Sequence, residues 1–155
     1  MIQENLKLSG QLNIVLKDKA GNVKSEREEK NLVVNVGLAY IINRMRSDVS
    51  GGKALMSHMA LGSGTTSAAA AQTALVTQLG SREALDSTTI AGSNNEKLVY
   101  VSSFEAGDGT GAVTEAGIFN AASSGDMLCR TVFAVVNKAA DDTMAITWTI
   151  TLAAS

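Results

Sequence analysis

The sequence predicts a mainly β protein: an antiparallel β-sandwich of jelly-roll-like type, with one amphipathic helix and a second short helix. Three observations lead there. Residues 144–152 alternate without a break, Met144, Ile146, Trp148, Ile150 and Leu152 against Ala145, Thr147, Thr149 and Thr151, the period of a strand with one buried face. Short apolar runs are punctuated by glycine-bearing turns; proline is absent from all 155 residues and glycine supplies 14, so glycine carries much of the turn chemistry. Leu38, Ile41, Ile42 and Met45 fall at i, i+3, i+4 and i+7, the apolar stripe of a helix.

Taken in order, Leu6, Leu8, Leu12, Ile14 and Leu16 share one parity, DKAGN at 18–22 reads as a turn, and Val23 begins a return strand. Residues 1–30 therefore read as a hairpin within a single domain spanning 1–155. The charged run from Glu26 to Lys30 interrupts the return strand; it reads as a solvated strand face or edge, the alternative being an interaction patch. Leu32 to Val34 is strand-like, Asn35 is placed to cap a helix over 36–46, and Arg44 and Arg46 sit where the helix dipole favours positive charge. Gly51-Gly52 lies in the loop beyond.

Residues 57–62 (SHMALG) read as a strand, and Gly62 and Gly64 permit a tight turn into the Ala-rich stretch 65–72. Ala74, Leu75 and Leu79 predict a helix of one to two turns ended by Gly80, too short to persist without packing. Strands follow at 97–104, 113–120 and 127–133, separated by the turns GDGTG at 107–111 and SSGD at 123–126. In the strand 127–133, Met127, Cys129, Thr131 and Phe133 share one face and Leu128, Arg130 and Val132 the other. Such a strand is covered on both sides, by the second sheet or a subunit. Trp148 belongs to the core spine of the last strand.

Composition narrows the function classes. Lys+Arg 13 against Asp+Glu 15 gives a net charge of -2, which argues against a protein that grips a phosphate backbone. A single cysteine, Cys129, excludes an internal disulfide and a multi-cysteine zinc site, and a single histidine, His58, excludes clustered-histidine metal chemistry. No apolar run reaches membrane-spanning length, and MIQENLKLSG lacks the features of a signal peptide. The expectation is a soluble intracellular chain with no cofactor, no metal, no membrane and no direct nucleic-acid partner.

No catalytic constellation emerges. GSGTT at 62–66 lacks the lysine of a phosphate-binding loop and reads as glycines that allow close chain approach. GDGTG lacks the oxygen-ligand series of a calcium loop, leaving only an adventitious cation near Asp108 as an alternative to a plain turn. His58, flanked by Met56, Met59 and Leu61, reads as a core-edge or interface residue rather than a general base, and Cys129 as a small buried hydrophobe. Glu105, Glu115, Asp126 and the pair Asp141-Asp142 offer carboxylates of the kind glycosidases use, yet they are expected in or beside turns, with no aromatic platform. The chain is read as a non-enzyme, a part of an assembly.

The order NLVVNVGLAYI, MALGSGTTSAAAAQTAL, TEAGIFNAASSGDMLCRTVF and DDTMAITWTITL resembles a recurrent family of tailed-bacteriophage virion proteins, over residues 31–152, about four-fifths of the chain. The resemblance implies a capsid decoration protein or a tail or fibre component. Carried over by position, Gly62, Gly64, Thr65, Glu115, Gly117, Phe119 and Arg130 would serve fold maintenance or subunit packing, with no catalysis, and Trp148 joins them as a structural residue. Ala68 to Ala71 stand where relatives often have a proline. The hairpin at 1–30 lies outside the similarity, which would make it an adapter arm. With no heptad seam and no repeated unit for a shaft, the expected function is a capsid decoration (cement) protein that bridges capsid subunits as a homo-oligomer, with a trimer fitting local three-fold positions. The alternatives are a tail, vertex or fibre-base adapter, or a small receptor- or glycan-binding tip. Its partners would be itself and the major capsid protein or a tail or fibre protein. It would be made in the bacterial host cytoplasm and reside on the virion surface.

Overall fold

The C-terminal alternation becomes the spine of a two-sheet sandwich in the computed structural model, which describes residues 5–45 and 51–154. Its elements are β1 (Leu6–Lys17), β2 (Val23–Lys30), β3 (Leu32–Val33), α1 (Asn35–Arg44), β4 (His58–Gly62), β5 (Gln78–Ala84), β6 (Ser87–Ala91), β7 (Lys97–Phe104), β8 (Gly111–Phe119), β9 (Met127–Lys138) and β10 (Thr143–Ala154). One sheet has the order β2-β1-β10-β7-β6 and the other β3-β9-β8-β4-β5. Every strand pair is antiparallel. The chain passes between the sheets at β2–β3, β5–β6, β7–β8 and β9–β10, as a sandwich with shared core requires.

β10 lies at the centre of the first sheet, paired with β1 from Leu6–Ala154 to Lys17–Thr143 and with β7 on its other side. Met144, Ile146, Trp148 and Ile150 are buried, and the alternate residues face outward. Leu12, Ile14 and Leu16 of β1 and Tyr100 and Phe104 of β7 lie beside them, facing Met59, Leu61, Ile118, Cys129 and Phe133 of the second sheet. The N-terminal hairpin is present, and β1 is the second strand of its sheet. β2 runs unbroken through Glu26 to Lys30, so the charged run does not interrupt it. It forms the sheet's edge, where charge discourages pairing with another chain.

Three sequence expectations change. The short helix around 74–79 is absent: Leu79 lies in β5, and Gly80, at φ +68°, sits inside that strand rather than after a helix. The cause is tertiary, because the backbone N–H groups of Val76 and Thr77 donate to the Glu115 carboxylate and so are withdrawn from a helical ladder, while β4 supplies an open edge for β5. At α1, Val34 is the capping residue and no side chain caps; Asn35 is already helical, its N–H bonded to the Ala70 carbonyl at 2.8 Å. Arg46 lies outside the described residues.

The third change concerns the face that α1 buries. Gly37 and Tyr40 turn inward, while Leu38, Ile42 and Met45 are exposed. Contact with β9 decides this: a Cβ on Gly37 would stand 2.0 Å from the Leu128 carbonyl oxygen, so the helix approaches the strand through the one position without a side chain. The apolar stripe is thereby rotated to the flank.

Candidate functional site

The second sheet has two covered faces, as β8 requires: from Val113 to Phe119 every residue is buried. One face meets the first sheet. The other carries the chain's own segment between β4 and β5, residues 63–77, together with α1. A register shift between Ile118 and Phe119 brings Phe119 opposite Met127. Met127 thus leaves the face shared by Cys129 and Phe133 and joins Val34, Ala60 and Phe119 in a small outer cluster, with Leu75 packed against it.

At the centre of that outer face lies a buried ion pair. Glu115 of β8 and Arg130 of β9 are both fully buried, with Nη2 2.7 Å and Nε 2.8 Å from Oε2. The carboxylate also accepts from the backbone N–H groups of Gly64 (2.9 Å), Thr77 (2.8 Å) and Val76 (3.1 Å). The guanidinium donates onward to Gln72 Oε1 at 2.8 Å and to the Thr66 carbonyl at 3.0 Å, and Thr114 Oγ1 donates to the Gly64 carbonyl. Two side chains of the sheet therefore hold both ends and the middle of the covering loop. Charge-assisted bonds of this kind are the stronger ones, and they satisfy donors that a buried loop would otherwise strand.

The electrostatics follow from that geometry. Burial pushes the Glu115 carboxyl upward, but the N–H groups of Thr77 and Val76, the Arg130 guanidinium and the Gly64 N–H outweigh it and hold the group below its ordinary value of 4.5. The glycines serve close approach: a Cβ on Gly62 would lie 2.6 Å from Glu115 Cγ, and one on Gly64 2.5 Å from Oε1. A phosphate-binding loop presents its backbone donors to a ligand; here the donor of Gly64 is taken by a carboxylate of the same chain.

The other residues singled out from sequence divide clearly. Gly117 lies under the loop, where a Cβ would meet Leu75 Cδ2 at 3.1 Å. Phe119 is fully buried beneath the Arg82 guanidinium, 3.5 Å above the ring centroid. Arg82 also donates to the carbonyls of Ala121 and Ser124, tying β5 to the turn before β9. Thr65 is exposed on the loop and makes none of these bonds. Trp148 is remote, in the main core, its Nε1 donating to Asn31 Oδ1 at 3.0 Å.

Glu115 is not near a turn, as the sequence reading had it, but within a central strand. The remaining carboxylates are held apart from it. Asp126 accepts from Lys53 at 2.8 and 2.9 Å, and Asp142 accepts from Lys24 and from the Ala139 N–H. His58 Nδ1 is 2.7 Å from the Ser57 hydroxyl at a half-buried position. Cys129 is buried, and burial raises its thiol well above the ordinary range. Among the described residues no three His, Cys, Asp or Glu side chains are grouped to hold a metal, and no helix is long and apolar enough to cross a membrane.

Gln72, Arg82 and the Val76-Thr77 amides were not legible as partners. The signal for the pair itself was a lone Glu in VTEAGIF and a lone Arg in MLCRTVF, each the single charge in its segment. In comparisons with protein-family models, curated proteins and solved structures, the chain gives no match.

Proposed function

We propose that this chain is a non-enzymatic structural protein of a tailed-phage virion, in the first place a capsid decoration protein that joins neighbouring capsid subunits as a homo-oligomer. One observation carries the reading. Six of the seven positions brought forward by the resemblance, namely Gly62, Gly64, Glu115, Gly117, Phe119 and Arg130, converge on the face where the loop 63–77 is clamped to the second sheet. The polar capacity of Glu115 and Arg130 is spent within the chain itself, on each other, on Gln72 and on loop backbone, which suits a rigid part whose surface is contact area and does not suit a reactive cleft. Weak contacts repeated by particle symmetry would supply the affinity.

The test is quantitative binding of the purified protein to particles that lack it, followed by counting copies per particle and locating them in a particle reconstruction. Saturation at a number matching the capsid lattice is the expected result. A number matching tail or vertex symmetry moves the protein to an adapter at the tail, vertex or fibre base. Failure to bind any particle component, with retention of a glycan instead, replaces the reading by a receptor-binding tip.

A further inference from the structure

The sandwich is open at the end where β1 begins and β10 finishes. There the inner face of the first sheet continues beyond the second, and α1 covers it in part. The result is an apolar groove of about 420 Å³, lined by side chains that include Leu8, Tyr40, Ile41, Leu98, Ile150 and Leu152. Among the described residues nothing fills it. Beside it stands the displaced helix stripe, with Leu38 46%, Ile42 67% and Met45 77% exposed, and the rim continues through Ile90 at 64% and Leu152 at 38%. Leu6, on the same parity as Leu8 one step further out, is 75% exposed.

We propose that the occupant of this groove is a second copy of the chain, the helix flank of one protomer entering the groove of the next. The area fits. Taken together, the six residues leave uncovered roughly 600–700 Å² of surface, near the ~800 Å² that each partner contributes to a stable interface. The shape is self-complementary, because a raised apolar flank and a concave apolar groove lie side by side on one surface, with Met45 belonging to both. The rim carries both signs, with Arg44 and Lys97 beside Glu96, so one copy can meet another without like-charge opposition. A reciprocal pair or a closed ring would bury every flank and every groove at once.

The inference names the surface behind the self-association proposed above and rests on that part of the reading. It is tested by the mass of the full chain in solution across a concentration series, by light scattering and sedimentation. The wild type should be oligomeric at tens of micromolar. Met45→Glu and Ile90→Glu, both at exposed positions, should weaken association roughly 30- to 100-fold while leaving circular dichroism and melting temperature unchanged, as expected for anchors of an interface. Val23→Glu, an exposed apolar position on the far edge strand β2, should leave association as it was. A wild type monomeric at millimolar concentration overturns the proposal, and uptake of a fluorescent fatty acid by that monomer would give the groove to a small apolar ligand. An oligomer indifferent to Met45→Glu and Ile90→Glu overturns this surface while leaving self-association standing. Particle binding is read separately, so failure there does not bear on this result.

Discussion

Removing Arg130 or Glu115 tests the clamp most directly, and the structure makes the two losses unequal. Breaking a buried ion pair by deleting one partner costs about 3–5 kcal/mol. In Arg130→Met the carboxylate keeps the N–H groups of Gly64, Val76 and Thr77, so the cost should sit near the lower end, about 3 kcal/mol. For a chain of this size that lowers the melting temperature by about 6–12 °C. In Glu115→Gln a buried guanidinium loses its counter-charge and an amide NH2 takes the place of one oxygen, facing either two donors at the Oε1 position or three at Oε2, so the cost should approach about 5 kcal/mol. The double replacement Glu115→Leu with Arg130→Met should remain destabilised, unlike buried pairs that exchange neutrally for apolar residues, because the loop amides stay unpaired. Urea unfolding gives the free energies, and hydrogen exchange at Gly64, Val76 and Thr77 reports whether the loop opens before the sandwich does. The pH dependence has a definite sign. Because the folded Glu115 carboxyl is held below 4.5, its contribution is complete above about pH 5 and disappears as pH falls through the folded value; Glu115→Gln should lack that component. A double variant as stable as the wild type, or equal protection of the three amides in every variant, refutes the clamp.

Other expectations are simpler to check. Trp148→Ala should cost about 3–5 kcal/mol in denaturant unfolding, whereas Trp148→Phe, which keeps most of the packing and loses the bond to Asn31, should cost less. Gly37→Val should displace α1 from β9, because the added atoms meet the Leu128 carbonyl, and should lower stability by at least about 1–3 kcal/mol; retention of wild-type chemical shifts in residues 35–45 would contradict that packing. The Cys129 thiol, buried and raised well above its ordinary pKa, should resist a thiol reagent in the native state and react fully in denaturant.

Much of the fold was written in local pattern. The alternation from Met144 to Ile150 specified both the strand and its buried face, because a period of two has few other uses. The limits 97–104 for β7, the GDGTG and SSGD turns and the return of β2 after DKAGN followed from the same logic. Leu79 and Gly80 pointed to a helix end instead of a strand, and residues 81–91 carry no comparable signal. β5 and β6 are largely exposed edge strands, and an edge needs no apolar face to be held by its neighbour's ladder. The clamp was visible as two isolated charges, but its other partners were not: Gln72 and the amides of Gly64, Val76 and Thr77 carry no pattern until the loop is folded over the sheet.

The helix shows where the two kinds of information separate. Its existence and approximate span were fixed by the residues themselves, since local spacing and backbone preference act over a few positions. Which side it buried was settled by a single long-range approach, Gly37 against the Leu128 carbonyl, and that steric condition outranked the apolar stripe. The same holds for Glu115 and Arg130. Their types and strand positions belong to the sequence, while their pairing, their burial and the loop they hold arise only when strands distant in the chain lie side by side and exclude water.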